Sequence, residues 1–512
     1  MLAIGRNRMP VFRTASRLTL ALLAAAPLAC PAAAAQTAPV VATAFDPDAH
    51  LAGLQDFVDG VMAEQIASRE VAGAVVTVVH DGQILFTRGY GYADIDQDRP
   101  VDPMQTLFRP GSVSKLFTWT ALMQQIEAGR VSLDDDVAKY LDYDLPPFDG
   151  PPIRVRDLFQ HTPGLSDIGG IIVRDPENLP YYADWMKENI PGRMWAPGTE
   201  VSYSNYGSVI AGYIVERVSG EPFVDYVEKH IFTPLGMNAS TFREPLPASL
   251  QANMARGYTL EDGQFVAQPY EFVSPVLPAG SVAATAPDMA RFMLAMLNRG
   301  QLGDARILKP ESVEFLFSDS FANTPNLPGM AHGFLVYNEA GPRLVGHAGN
   351  TGDFHSDLII APEHGFGFFV STTGGQESGA GRTDLGHAIL GRVFSEEPTP
   401  RWTGTDAVQP PLGAYRSNRR DYSKEPRAEY DLKVSMPEPH LVLVESYDGT
   451  TAWEQIGPNL YEKVTAAREG GPFTQLEFYG LPDNPRLSFS DHPYETYHFV
   501  PNAPDAAEAG ED

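Results

Sequence analysis

The chain has 512 residues, a formal net charge of −28, 43% hydrophobic and 20% charged residues, and a single cysteine. So acidic a chain repels nucleic acid and anionic lipid, and one thiol cannot build a disulfide framework or a cysteine-based metal site. The composition is that of ordinary globular material, and the length suits two or three domains.

The chain opens with Arg6, Arg8, Arg13 and Arg17, an apolar run from Leu18 to Ala29, and Ala32 to Ala35 before Gln36. This pattern predicts a cleavable secretory signal over residues 1–35 and a periplasmic or secreted mature protein. The run is too short to span a bilayer as a helix, and no later stretch reads as an integral membrane segment. Cleavage would remove four of the 37 basic residues and take the net charge from −28 to −32. It would also remove Cys30, which excludes a cysteine nucleophile. The alternative is a lipoprotein anchored through Cys30, against which Pro27 stands where a large aliphatic residue is expected.

After a linker near Gln36 to Phe45, the spacing of Leu51, Leu54, Phe57, Val58, Val61 and Ile66 predicts a helix over Ala49 to Ser68. Two strands follow, Ala72 to His80 and Gln83 to Tyr92, joined by the hairpin signal Asp81-Gly82. A helix starts at Ser112 behind Pro110-Gly111 and runs toward Gly129. From about 134 to 268 the text becomes proline- and glycine-punctuated helical pieces, Val155 to Phe159 and Tyr206 to Val218 among them, which read as an insertion. Pro287 to Gly300 is an amphipathic helix. Strand text returns at Leu344 to Gly349, Asp357 to Ala361 and Gly365 to Thr372. A proline-spaced connector, 398–411, separates the domain 36–397 from short alternating runs over 412–501, which predict a small all-β domain. Residues 502–512 form an acidic tail of disordered character.

Ser112 and Lys115 stand three residues apart, so on a helix they share a face and can touch. A serine at a helix N-terminus meets N–H groups that favour developing negative charge. A partly desolvated lysine loses its proton more easily and can serve as the base a serine needs. Taken alone, so short a pattern is common on solvated helix faces, and Tyr203 with Asn205 reads by itself as an ordinary loop. His347, Asp353, His355 and Asp357 are polar neighbours whose spacing on a strand fits no closed metal set. His161 reads as the brace of a turn. The absence of Gly-x-Ser-x-Gly argues against the α/β-hydrolase route to acyl transfer.

The segment Phe108-Arg109-Pro110-Gly111-Ser112-Val113-Ser114-Lys115 resembles the nucleophile region of class C β-lactamases and their relatives, the D-Ala-D-Ala carboxypeptidases, D-aminopeptidases and β-lactamase-like esterases. The likeness recurs in order. Tyr203-Ser204-Asn205 resembles the Tyr-x-Asn motif and His347-Ala348-Gly349 the Lys/His-x-Gly strand, with His161-Thr162-Pro163-Gly164-Leu165, Pro234-Leu235-Gly236-Met237 and Pro278-Ala279-Gly280-Ser281 matching between them. It covers about Asp46 to Phe394. The resemblance implies an α+β fold, an antiparallel sheet flanked by helices with a helical insertion and the site between them. Residues 412–501 resemble the lipocalin-like barrels that some relatives carry.

The resemblance also implies roles. Ser112 is the expected nucleophile, with Lys115 and Tyr203 sharing its proton and either one the base. Asn205 is expected to hold Lys115 and the substrate, and His347 to belong to the substrate-binding strand. The backbone N–H groups of Ser112 and Asn350 are expected to form the oxyanion hole, with Gly349 letting the substrate backbone approach. No cofactor and no metal are implied, the partner being a small-molecule or peptide substrate. Oligomeric state is not legible. The departure is at Ala348, where relatives carry threonine: loss of a hydroxyl that binds substrate carboxylate points to a peptidase acting on D-amino-acid peptides or amides, or to a carboxylesterase. A true β-lactamase and a non-catalytic penicillin-recognising protein are the alternatives.

Overall fold

The computed structural model describes residues 45–338, 341–394, 399–404, 409–424, 430–447, 449–464 and 474–501. The predicted signal, most of the linker after it and the acidic tail lie outside the described residues. The described residues belong to one compact unit.

In chain order the elements that place the site are α1 (Leu54–Ala67), β1 (Gly73–His80), β2 (Gln83–Asp94), α2 (Lys115–Glu127), α3 (Asn205–Ser219), α4 (Ala286–Leu297), β3 (Leu344–Asn350), β4 (Phe354–Ala361), β5 (Phe366–Thr373) and α5 (Gln376–Val393). Among the described residues, nine strands make one antiparallel sheet. Its centre runs β2-β1-β5-β4-β3, and short strands extend it, Arg99–Pro100 beyond β2 and Leu335–Asn338, Met330–Ala331 and Asp319–Phe321 beyond β3.

Both faces of the sheet are covered, which is why its central strands read as continuous apolar runs instead of alternating ones. Val75 and Val79 of β1 join the large core with Trp119, Phe117 and Phe292, while Val76 and Val78 face Leu54, Val58 and Leu385 from α1 and α5. α2 and α3 pack together in the helical region that follows the first hairpin. Two expectations are corrected in detail. The helix predicted from Ser112 begins as a 3₁₀ turn, Gly111–Ser114, and becomes α-helical at Lys115. β4 starts three residues before Asp357, at Phe354, because Phe354, His355 and Ser356 are paired with β5.

The C-terminal all-β region is a closed eight-stranded antiparallel barrel: β6 (Gly413–Ser417), β7 (Leu432–Glu438), β8 (Leu441–Ser446), β9 (Gly449–Gln455), β10 (Leu460–Lys463), β11 (Gln475–Tyr479), β12 (Arg486–Phe489) and β13 (Tyr497–Val500), with β13 pairing back onto β6. Alternate residues such as Val442 and Val444 point inward and meet Trp453, Tyr461 and Phe478, so side chains fill the interior. The barrel is docked on the preceding domain through buried polar contacts. Asn418 Nδ2 donates to Glu200 Oε1 (2.6 Å) and to the Val201 carbonyl (2.8 Å), and Glu200 also pairs with His498 (2.7 Å) and Arg486 (3.0 Å). No helix among the described residues is long and apolar enough to cross a membrane.

Candidate active site

The turn that carries Ser112 is built by Gly111 and anchored by Arg109. Gly111 takes a positive φ of 54°, which any side chain would resist, and a Cβ there would sit 2.8 Å from the Asn350 nitrogen. Arg109 and Glu244 form an ion pair at 2.5 Å with both side chains fully buried. Such a pair fixes geometry more surely than it adds stability. Ser114 is spent on structure: its hydroxyl donates to the Gly111 carbonyl (2.6 Å) and accepts from Val282 N–H (3.2 Å). Ser112 is left as the partly open hydroxyl at the head of the helix.

Lys115 is fully buried, and its Nζ donates to Ser112 Oγ (3.1 Å), Asn205 Oδ1 (2.9 Å) and the Ala279 carbonyl (2.7 Å). An ammonium uses all three bonds. A neutral amine can keep its two N–H groups on the fixed acceptors Asn205 and Ala279, which leaves its lone pair facing Ser112. Burial pushes the amine well below the usual lysine range, and the positive charge of Arg419 pushes the same way against Asp167.

Tyr203 shares this buried environment. Its ring is stacked on His161 at 4.4 Å, covered by the Arg419 guanidinium at 4.5 Å and met edge-on by Tyr494 at 5.6 Å, with Lys115 Nζ 4.9 Å from its centre. Burial raises the phenol pKa, while Arg419 and the neighbouring Ser112 hydroxyl oppose that rise. The phenol is buried and makes no hydrogen bond of normal geometry among the described residues. It is therefore a neutral donor held in place by its faces.

Asn205 is the first residue of α3, whose N-terminus is capped by Ser204 Oγ accepting from Gly207 N–H (3.0 Å). His161 Nδ1 accepts from Ser204 N–H (3.2 Å), so this histidine braces a turn as expected and also forms one wall of Tyr203. That second contact left no trace in the sequence.

His347 and Gly349 lie on the face of β3 that looks toward the Ser112 turn, and Ala348 lies on the other. The His347 ring is buried and pushed down to about 3 by desolvation and by Lys115, so it is neutral. Its Nδ1 contacts the Ala348 carbonyl, which makes Nδ1 the donor and leaves Nε2 a buried acceptor with no partner among the described residues. At Gly349 a Cβ would collide with the Pro110 carbonyl and would lie 2.8 Å from the Ser112 nitrogen. The structural need for this glycine is the approach of β3 to the nucleophile turn, which differs from the expected approach of substrate backbone. Asn350 ends β3 beside Gly111, and its Oδ1 meets His355 Nδ1 at 2.8 Å. Ala348 lines a cavity of about 100 Å³ with Tyr337, Asp357 and His492.

The four residues weighed for metal go to separate partners. Asp353 pairs with Arg174 (3.1 Å), Asp357 with Arg382 (2.9 Å) and His355 with Asn350 and the Gly375 carbonyl, while His347 faces the Ser112 turn. The site also holds residues that sequence reasoning missed: Ala279, Asp167, Arg419 and Tyr494. Ala279 acts through its carbonyl, and only the Pro278-Ala279-Gly280-Ser281 text hinted at it.

A family model described as Beta-lactamase matches residues 56–391, well over half of the chain. The chain belongs to the β-lactamase family. Among proteins similar to this family member, the putative penicillin-binding protein PbpX of Bacillus subtilis strain 168 is 32% identical over 256 residues, 48% of this chain and 59% of that protein. The chain spans about three fifths of the length of the curated relatives it matches. The octameric penicillin-binding protein homologue from Pyrococcus abyssi shares its fold with a TM-score of 0.57 at 24% identity, over 87% of this chain and 99% of that one. The D-amino acid amidase from Ochrobactrum anthropi SV3 gives a TM-score of 0.55 at 25% identity, over 66% and 97%.

Proposed function

We propose that this β-lactamase family member is an exported serine hydrolase that cleaves amide or ester bonds through an acyl-enzyme on Ser112, with D-amino-acid amides or peptides and carboxylic esters as its substrate class. The observation that carries this reading is the three-point setting of Lys115 Nζ, two points fixed and the third on Ser112 Oγ.

Burial favours the neutral form of both proton carriers, which lowers the amine and raises the phenol. Lys115, pushed down, is the base; Tyr203, pushed up, stays a phenol and relays. As Ser112 Oγ bonds to the substrate carbonyl carbon, its proton passes to Lys115, and the oxyanion meets the N–H groups of Ser112 and Asn350. The scissile C–N or C–O bond then breaks, and the leaving group takes a proton through the Tyr203 phenol, which is replenished from Lys115. Water repeats the path in reverse and releases the acid. The amidase likeness supports the substrate class.

The test is covalent labelling with a fluorophosphonate followed by peptide mapping, run beside turnover of p-nitrophenyl esters, D-amino-acid amides, D-Ala-D-Ala peptides and nitrocefin. A single label on Ser112, abolished in Ser112→Ala, is expected. A label on Ser114, or one that survives that substitution, would sink the assignment.

A further inference from the structure

The described stretch that follows β6, residues 418–424, leaves the barrel and enters the catalytic cleft. Asn418 fixes its root on Glu200 and Val201. Two backbone bonds carry it further: Asp167 N–H donates to the Arg420 carbonyl (3.0 Å), and on the neighbouring barrel loop the Tyr494 carbonyl accepts from Tyr203 N–H (2.9 Å). Between these anchors Arg419 lies with its guanidinium over the Tyr203 ring and its Nε 3.3 Å from Asp167 Oδ2.

Asp167 has its other oxygen turned inward. Oδ1 accepts from Ile168 N–H (2.9 Å) and, over a long 3.4 Å contact, from Asn205 Nδ2. A carboxylate can only accept, so it selects the amide end of the Asn205 side chain and turns Oδ1 of that side chain toward Lys115. The chain of contacts thus runs Arg419, Asp167, Asn205, Lys115, Ser112, and its first member belongs to the barrel.

We propose that Asp167 and Arg419 are a positioning pair, one half from each domain, which sets the Asn205 carboxamide and with it the amine of Lys115, so that the site is complete only with the barrel docked. The proposal rests on the reading of Lys115 as base and goes beyond it in giving the barrel a part in the proton path.

The pair also carries charge. The titratable and charged groups that face Lys115 are Tyr203 just before α3, His161 from the turn that braces it, His347 from β3, Asp167, and Arg419 from the barrel. Arg419 in turn faces Glu495 and Tyr494. Burial and the lysine charge push both histidines down, His347 to about 3, so neither changes charge near neutrality. Burial works against the charge of Arg419, but Asp167 and Glu495 outweigh it. Arg419 disfavours the ammonium of Lys115 and Asp167 favours it, so removing the two charges must move the amine in opposite senses.

The experiment is the pH profile of the Ser112 acylation rate in the full chain. Arg419→Gln is expected to move the acid limb to higher pH by about half a unit or more, and Asp167→Asn, which keeps an acceptor for Asn205, to move it to lower pH by a similar amount. Arg419→Lys restores the parent limb. Asp167→Ala, with no acceptor left, is expected to lower kcat about ten- to a hundredfold with little change in KM. Glu477→Gln is the control, because Glu477 docks the barrel through Asn326 (2.5 Å) without a contact to this chain of residues. Limbs that stay put, shifts of the same sign in Arg419→Gln and Asp167→Asn, or a Glu477→Gln profile that copies Arg419→Gln would overturn the proposal in favour of simple docking. Failure of the underlying reading looks different: acylation in Lys115→Ala would then persist at the parent rate.

Discussion

Gly349 and Pro110 meet backbone to backbone, the α-carbon of one lying so close to the carbonyl oxygen of the other that a methyl group has no room between them. The obstacle is main chain and cannot swing aside. Gly349→Ala is therefore expected to push β3 off the nucleophile turn and lower the acylation rate at least about a hundredfold, the scale of a misplaced reacting group. Gly60→Ala gives the contrast. This exposed glycine in α1 has open space around it, so the change should stabilise the protein by about 0.5 to 1 kcal/mol and leave turnover alone. Stopped-flow acylation and thermal melts on the two variants decide the matter.

Lys115→Ala and Tyr203→Phe should each slow acylation by about two to four orders of magnitude, the usual scale for losing a positioned acid or base. The double variant should be scarcely slower than the worse single one, since both residues serve one path. Near-parental turnover in either single variant would remove it from the proton route.

Acid should weaken the fold through its buried histidines. His347 is held at about 3 and His355 at about 4, against about 6.5 in an unfolded chain. Between those values the unfolded state binds more protons, so stability rises with pH and is lost as pH falls below about 6.5. Asp357, raised to about 6 by burial, works the other way over part of that window. His347→Gln isolates one member. The drop in melting temperature from pH 7 to pH 4.5 is expected to be smaller in this variant than in the parent, and an equal drop would show that the imidazole is not kept neutral by the fold.

Ala348→Thr adds a hydroxyl at the wall shared with Tyr337, Asp357 and His492. Because that wall lies on the face of β3 turned away from the Ser112 turn, the ratio of kcat/KM for a carboxylate-bearing substrate to that for a neutral ester is expected to stay at the parental value. A rise in the ratio would show that the side chain at 348 reaches the substrate.

What the sequence revealed and what it hid follow one physical division. β1 and β5 were legible because both sheet faces are buried and the strands are written in Val and Phe, and the barrel because its inward residues alternate. Leu335–Asn338 and its two neighbours were not, since strands of two to four residues carry no period. In the site, Ser112, Lys115, Tyr203, Asn205 and His347 were legible through three ordered motifs that resemble those of class C β-lactamases and their relatives, since each short pattern alone is too common to be read. Ala279 contributes a carbonyl, which every residue has. Arg419 meets Asp167 across 252 positions, and nothing near either residue in the text refers to the other.

The barrel closes by joining its last strand, β13, to its first, β6. Tyr494, whose carbonyl receives the Tyr203 amide, and Arg419 are both held by loops of that ring. Synthesis delivers Ser112 well before the closing strand. A growing chain thus carries Ser112 without the ring that we propose seats it until residues 497–500 have emerged and the seam is sewn.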